Sequence, residues 1–211
     1  MTPELLSELR EAIAARRHVM LATRLADGAQ RWIEATTEGG SAIVTIEAEE
    51  WFLHDFPPAP RLLLVGAGHL AQALAAHARL LGLAVVVIDP RPLFAAAERF
   101  PGCELIVSWP AEAMAKIVPD RHTAVVVVSH DSKFDDPALI AALRGPTFYV
   151  GALGSRKNQA ARRIRLAEAG IGARDLDRIH GPVGLPIGAI GAHEIAVSIL
   201  AEIIQVRRGM R

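Results

Sequence analysis

Four apolar residues, Leu62-Leu63-Leu64-Val65, run without a break into Gly66-Ala67-Gly68-His69-Leu70-Ala71, and a helical repeat follows directly. An apolar run with no polar alternation marks a strand covered on both faces. The next six residues fit G-x-G-x-x-G/A in the setting that gives the pattern meaning, a turn from a buried strand into a helix. Gly66 permits the tight turn, Gly68 lets backbone approach a phosphate, and Ala71 is small enough for the helix to pack on the sheet. Amides that open a helix lack partners within it, and with the helix dipole they favour an anion. A second apolar strand, Ala84-Val85-Val86-Val87-Ile88, leads to Asp89, 18 residues beyond Ala71, where a carboxylate commonly accepts a hydrogen bond from a ribose hydroxyl. Arg91 would offset repulsion of a 2′-phosphate or stack on a base, so NAD and NADP both stay open. Gly66, Ala67, Gly68, His69, Leu70, Asp89 and Arg91 are thus the expected ligand contacts here. A glycine turn that merely packs a helix is the plain alternative.

The same rhythm continues. A weak strand is expected at Leu105-Ile106-Val107, a helical turn or two at Ala111 to Lys116, and a buried strand at Ala124 to Val128. Pro137 to Leu143 reads as helix, Phe148-Tyr149-Val150 as strand, Asn158 to Ala169 as a basic helix, and Ala192 to Arg207 as the last helix. Strand–helix alternation with doubly covered strands specifies an α/β fold of Rossmann type, a doubly wound parallel sheet. Residues 1–56 read differently, as a small α+β subdomain. Leu5, Leu6, Leu9 and Ile13 recur at helical spacing, and β-like runs follow at Val19 to Leu25, Trp32 to Thr36 and Ala42 to Glu47. Ala26-Asp27-Gly28 and Glu38-Gly39-Gly40 punctuate them. So few residues bury little core alone, and they are expected to pack on the main domain or on a second subunit. Pro57-Pro58-Ala59-Pro60 reads as a stiff linker, with the nucleotide- or cofactor-binding domain at 61–211.

Composition narrows the classes. Hydrophobic residues make up 51% of the 211, so a packed core is expected, and the 23 basic side chains are matched by 23 acidic ones. A nucleic-acid binder would carry a basic surplus, so none is expected as partner. The start lacks the features of a secretory signal. The longest apolar stretch, Ala192 to Val206, is broken by His193, Glu194, Glu202 and Gln205, so no membrane span is expected. Cys103 is the only cysteine, which fits a reducing cytoplasm and assigns it no role. Dispersed histidines and the absence of a Cys cluster give no metal site, and no G-x-S-x-G elbow appears.

Two further strand ends carry polar residues, and in this architecture ligands sit beyond the carboxyl ends of strands. One is Ser129-His130-Asp131, too close in sequence for a hydrolase triad, where His130 or Asp131 would touch a ligand or the segment forms an Asx-type turn. The other is Gly151-Ala152-Leu153-Gly154-Ser155-Arg156-Lys157, which reads as a second anion cradle. Ser155 suits the helix N-cap, Gly151 and Gly154 admit close approach, and Arg156 and Lys157 add charge. A capped helix with solvated basic residues explains it equally well. His180 opens the loop His180-Gly181-Pro182-Val183-Gly184-Leu185-Pro186-Ile187-Gly188, either facing ligand or serving as a structural histidine. Glu194 is expected to cap or pair near the start of the last helix.

Taken in order, Pro58 to Leu62 with Gly66 to Ala71, Ser129 to Asp131, Tyr149 to Lys157, His180 to Leu185 and Glu194 to Ile203 resemble the C-terminal Rossmann domain of the XdhC/CoxI family, accessory proteins of molybdenum hydroxylases such as xanthine dehydrogenase. The resemblance covers roughly Phe56 to Arg208. It implies a non-catalytic or weakly catalytic role, that of a cofactor-insertion chaperone. Such a protein binds molybdenum cofactor, a molybdopterin, shields it while a sulfurase replaces an oxo ligand with sulfur, and helps insert it into the apo molybdenum hydroxylase. A homodimer is also expected. On this reading the glycine turn and the basic loop grip the phosphate, while Ser129, His130 and Asp131 read the ring or the metal's oxo groups. The chain departs from the family where a longer N-terminal domain carries a glycine-rich, cysteine-bearing segment; Glu11 to Thr23 resembles its start, but the cysteine is absent. The alternatives are an NAD(P)-dependent oxidoreductase, with His69, His130 or Lys157 as proton donor, and a nucleotide-sensing regulatory protein.

Overall fold

The computed structural model describes residues 2–35 and 40–209. Thr36, and Glu38-Gly39 of the expected turn, lie outside the described residues. The chain divides into two compact units, Met1–Ala59 and Pro60–Arg211. Among the described residues no helix is long and apolar enough to cross a membrane.

The first unit opens with α1 (Pro3–Ala14), with Pro3 in the first turn and the Thr2 hydroxyl accepting from the Leu5 amide. Strands β1 (Val19–Arg24), β2 (Gln30–Glu34), β3 (Ala42–Ile46) and β4 (Glu49–Phe56) form an antiparallel sheet in the order β2-β1-β4-β3. The sequence pattern points to only three of them. β4 is additional, and it is internal, pairing with both β1 and β3. Its Glu49-Glu50 start and His54-Asp55 pair break the alternation that marks a half-buried strand. Backbone pairing and one deeply buried side chain, Trp51, hold it instead. Leu9, Ala12 and Val19 form a small core with Trp32 and Phe56.

The second unit runs β5 (Arg61–Val65), α2 (His69–Leu80), β6 (Ala84–Ile88), β7 (Glu104–Ile106), α3 (Pro110–Ile117), β8 (Thr123–Val127), α4 (Ser132–Arg144), β9 (Tyr149–Ala152), α5 (Arg156–Glu168), α6 (Ala173–Leu176), β10 (Ile179–His180) and α7 (Gly191–Arg207). All strand pairs are parallel, and the spatial order is β10-β9-β8-β5-β6-β7. The chain moves from β5 outward through β6 and β7, then crosses back to β8 and on through β9 and β10. Strand order therefore reverses between β5 and β8, the position where open α/β sheets bind ligands.

The burial pattern follows from the sequence. Leu62 and Leu64 point to one face, with α2 and α7; Leu63 and Val65 point to the other, with residues of α3 and α4. All four are 0% exposed. Burying each such side chain contributes about 1.5–3 kcal/mol, so the strand ending in the glycine turn is among the most firmly anchored segments. Two helices start earlier than their apolar repeats suggest. α4 begins at Ser132, not Pro137, because Asp131 caps it and accepts from the Lys133 amide. Pro137 lies in its second turn and removes only one backbone bond. α5 begins at Arg156, capped by Ser155, whose hydroxyl accepts from the Asn158 amide.

Candidate functional site

At the reversal point, the turn after β5 approaches the segment after β8. Gly66 has φ +100°, and a Cβ there would lie 3.0 Å from the Ser129 Cβ and 3.2 Å from its backbone. Conformation and space both require glycine. Gly68 has an ordinary extended backbone, and a Cβ on it would meet nothing within 4 Å. Its bareness leaves open a cavity of about 230 Å³, lined by Gly66, Ala67, Gly68, His69 and Leu70 on one side and by Arg91, Val128, Ser129, His130 and Leu153 on the other. Gly68 is also the N-cap of α2 and, having no side chain, offers no cap. The first-turn residues His69 and Leu70 border this cavity, and no side chain caps the helix start.

Asp89 is placed differently from the expected ribose contact. Its side chain is 0% exposed, and both oxygens are engaged within the protein. Oδ2 accepts from the Ala67 amide at 2.9 Å and from Arg91 Nη2 at 2.7 Å; Oδ1 accepts from the Arg91 amide at 3.0 Å and Arg91 Nε at 2.9 Å. Burial alone would raise this carboxyl, but the Arg91 guanidinium and the two amides outweigh it and hold it below its ordinary value. Asp89 thus braces the glycine turn. Arg91 stays half-exposed on the cavity rim, with its guanidinium 4.0 Å from the Phe94 ring centroid and 5.5 Å from that of Phe134.

Ser129, His130 and Asp131 have different partners. The Ser129 hydroxyl donates to Asp135 Oδ1 at 2.6 Å and accepts from the Asp131 amide. Asp131 caps α4. His130 has φ +66°, is exposed, and faces the cavity. The expected second cradle also divides. Gly151 is a packing glycine, because a Cβ would stand 2.6 Å from Val183 Cγ2 and 2.8 Å from the Tyr149 ring. Gly154 has φ +136° and turns the chain toward α5, while Ser155 caps that helix. Arg156 and Lys157 are exposed and line neither cavity described here. His180 is held internally, with Nδ1 3.1 Å from Glu202 Oε1 and its ring stacked on Tyr149 at 4.5 Å. Glu194 accepts from the Ile190 amide at 2.7 Å and caps α7.

Sequence reasoning missed a second cavity of about 250 Å³ beside the first, sharing His130 and Leu153 with it. Ser132 and Asp135 of α4 line it, as do Asn158, Arg162 and Arg165 of α5. Asp135 and Arg162 are 1% and 5% exposed and pair at 3.0 Å. Burial pushes the Asp135 carboxyl up despite the Ser129 hydroxyl and the Arg162 charge. A readable signal existed. Asp135 shares a helical face with the buried Ala138, Leu139 and Ala142, and Arg162 with Gln159 and Leu166; ionisable residues at core positions call for a reason. Among the described residues no group of three or more His, Cys, Asp or Glu side chains could hold a metal ion.

These features define an α/β protein of Rossmann type whose sheet, at its reversal point, carries an uncapped helix start opening into a cavity. The XdhC Rossmann domain family matches residues 62–203. The chain belongs to the XdhC family. It is 37% identical over 158 residues to a probable xanthine dehydrogenase subunit of Bacillus subtilis, covering 74% of this chain and 46% of that one. It is 36% identical over 152 residues to the molybdenum cofactor insertion chaperone PaoD of Escherichia coli, covering 72% and 42% respectively. The chain therefore spans less than half the length of these relatives. The crystal structure of a xanthine dehydrogenase from Bacillus halodurans matches with TM-score 0.74 and 27% identity, over 99% of this chain and 65% of that one.

Proposed function

We propose that this chain binds molybdenum cofactor as cargo through its phosphate and passes it to an apo molybdenum hydroxylase of the xanthine dehydrogenase type. The observation that carries this reading is the uncapped start of α2 opening into the cavity at Gly66–Leu70. Molybdopterin carries a phosphate, which needs donors and positive potential, and the first-turn amides supply both. Leu70, Val128 and Leu153 give the cavity apolar wall, while His130 and Arg91 offer donors to a polar ring. Protection of the cofactor during its sulfuration by a sulfurase would use the same pocket.

Asp89 weighs against an NAD-dependent oxidoreductase. A carboxylate already accepting from Ala67 and Arg91 is not available to a ribose hydroxyl. The name of the Escherichia coli relative supports the chaperone reading. The test is whether the purified chain retains molybdopterin, read by the fluorescence of the oxidised pterin. The wild-type chain is expected to retain it. Gly68→Asp, which adds a repelling carboxylate in open space, is expected to lower retention at least tenfold while the fold is kept. Retention of NADP with turnover of a carbonyl substrate, and no pterin, would overturn the proposal.

A further inference from the structure

We propose that the cavity between the first turns of α4 and α5 is a second oxyanion subsite, distinct from the glycine turn, in which Arg162 is the selecting residue. Two 13-residue helices begin at this cavity, and each contributes a side chain from its first turn, Ser132 from α4 and Asn158 from α5. Their dipoles place partial positive charge there. Helix starts alone would not make a site. Arg162 adds a buried guanidinium to them.

Its side chain is 6% exposed and lines the cavity. Nη1 donates to Gln159 Oε1 at 2.6 Å, and Nη2 donates to Asp135 Oδ2 at 3.0 Å and to the Leu153 carbonyl at 3.1 Å. Nε–H is buried with no acceptor. A guanidinium presents donors in a rigid fork, and a buried one rarely leaves a donor unused. Three of the five guanidinium N–H groups are bonded within the protein and fix the plane of the group, which leaves Nε–H and the second Nη1 N–H unused for an acceptor from outside. Both nearby carboxylates are paired. Asp136 is engaged by Arg165 through two bonds at 2.6 and 3.0 Å, and Asp135 is committed to Ser129 and Arg162. The cavity lining holds one carboxylate, Asp135, against the donors of Ser132, Asn158, His130, Arg162 and Arg165. That set suits a tetrahedral oxyanion, either free or as a further anionic group on the ligand held at the glycine turn, since His130 and Leu153 border both cavities.

Inorganic phosphate is the probe, titrated into the full chain by calorimetry. Asn158→Asp adds a carboxylate at an exposed first-turn position, where it favours the helix, so folding is retained while an anion is repelled. Arg162→Lys keeps the charge but removes the fork and Nε–H. Gly68→Asp leaves this cavity untouched. The wild-type chain is expected to bind two phosphates, and each variant one. At the second site Asn158→Asp and Arg162→Lys should weaken affinity at least tenfold, with Gly68→Asp without effect there. If Arg162→Lys fails to fold, Asn158→Asp decides alone. A single phosphate that Gly68→Asp abolishes and Asn158→Asp leaves unchanged would overturn this subsite and leave the glycine-turn reading intact. Absence of any phosphate binding to the wild-type chain would also overturn it. When two phosphates bind, release of one by molybdopterin marks a subsite continuous with the cargo, and retention of both marks one for a free oxyanion.

Discussion

At the end of β6 a single carboxylate, Asp89, receives four hydrogen bonds from Ala67 and Arg91. In the glycine-turn motif an acidic residue at this spacing is read as a ribose contact. Here Arg91, two residues on, folds back onto it, and the Ala67 amide completes the arrangement. Asp89→Asn would trade a charged acceptor for a carboxamide that presents an N–H to an existing donor. Bonds to a charged group contribute about 1.5–3 kcal/mol, and Arg91 is half-exposed, so the expected loss is about 2 kcal/mol. Urea unfolding measures it, as a lower midpoint with an unchanged slope. An unchanged midpoint would mean that Asp89 does not brace the turn.

At the scale of elements, Glu202 of α7 ties β9, β10 and the loop after it together. It accepts from the Tyr149 hydroxyl at 2.5 Å and the Gly184 amide at 2.9 Å, and it faces His180 Nδ1. Burial would raise its carboxyl, but His180, Tyr149 and Gly184 together hold it below the ordinary value of 4.5. A depressed folded-state value means that its stabilisation is present above pH 4.5 and is lost as pH falls below that, through the folded value. Glu202→Gln is expected to lower stability by about 2 kcal/mol at neutral pH. The gap from wild type should close as pH falls below 4.5, and thermal melts across that range test it. A gap that stays constant down to pH 3 would contradict the assignment. His180, which the sequence leaves as either ligand-facing or structural, belongs to this tie. Glu202 lies 22 residues away on the last helix, and only the tertiary fold brings the two together.

Across the whole molecule, the parts legible in the sequence are those set by local chemistry. β5, the glycine turn, α2 and β6 announce themselves because the apolar runs and the glycines are contiguous. Strand–helix alternation gives the parallel sheet, whereas the place of the reversal, between β5 and β8, is set by the crossover after β7. β4 is hidden because Glu49, Glu50, His54 and Asp55 mask a strand held by pairing on both edges. The second cavity is hidden for another reason: its lining is drawn from residues between His130 and Arg165, and which way each side chain points depends on helix packing. The basic pair Arg156 and Lys157 drew attention by composition, whereas Arg162, on the buried face of the same helix, reaches the cavity.

The central claim concerns a few backbone amides, and nitrogen–proton NMR of the full chain titrated with molybdopterin observes them directly. The account predicts large, saturable shifts at Gly68, His69 and Leu70, lost in Gly68→Asp. Saturation of binding with those three amides unmoved would contradict it.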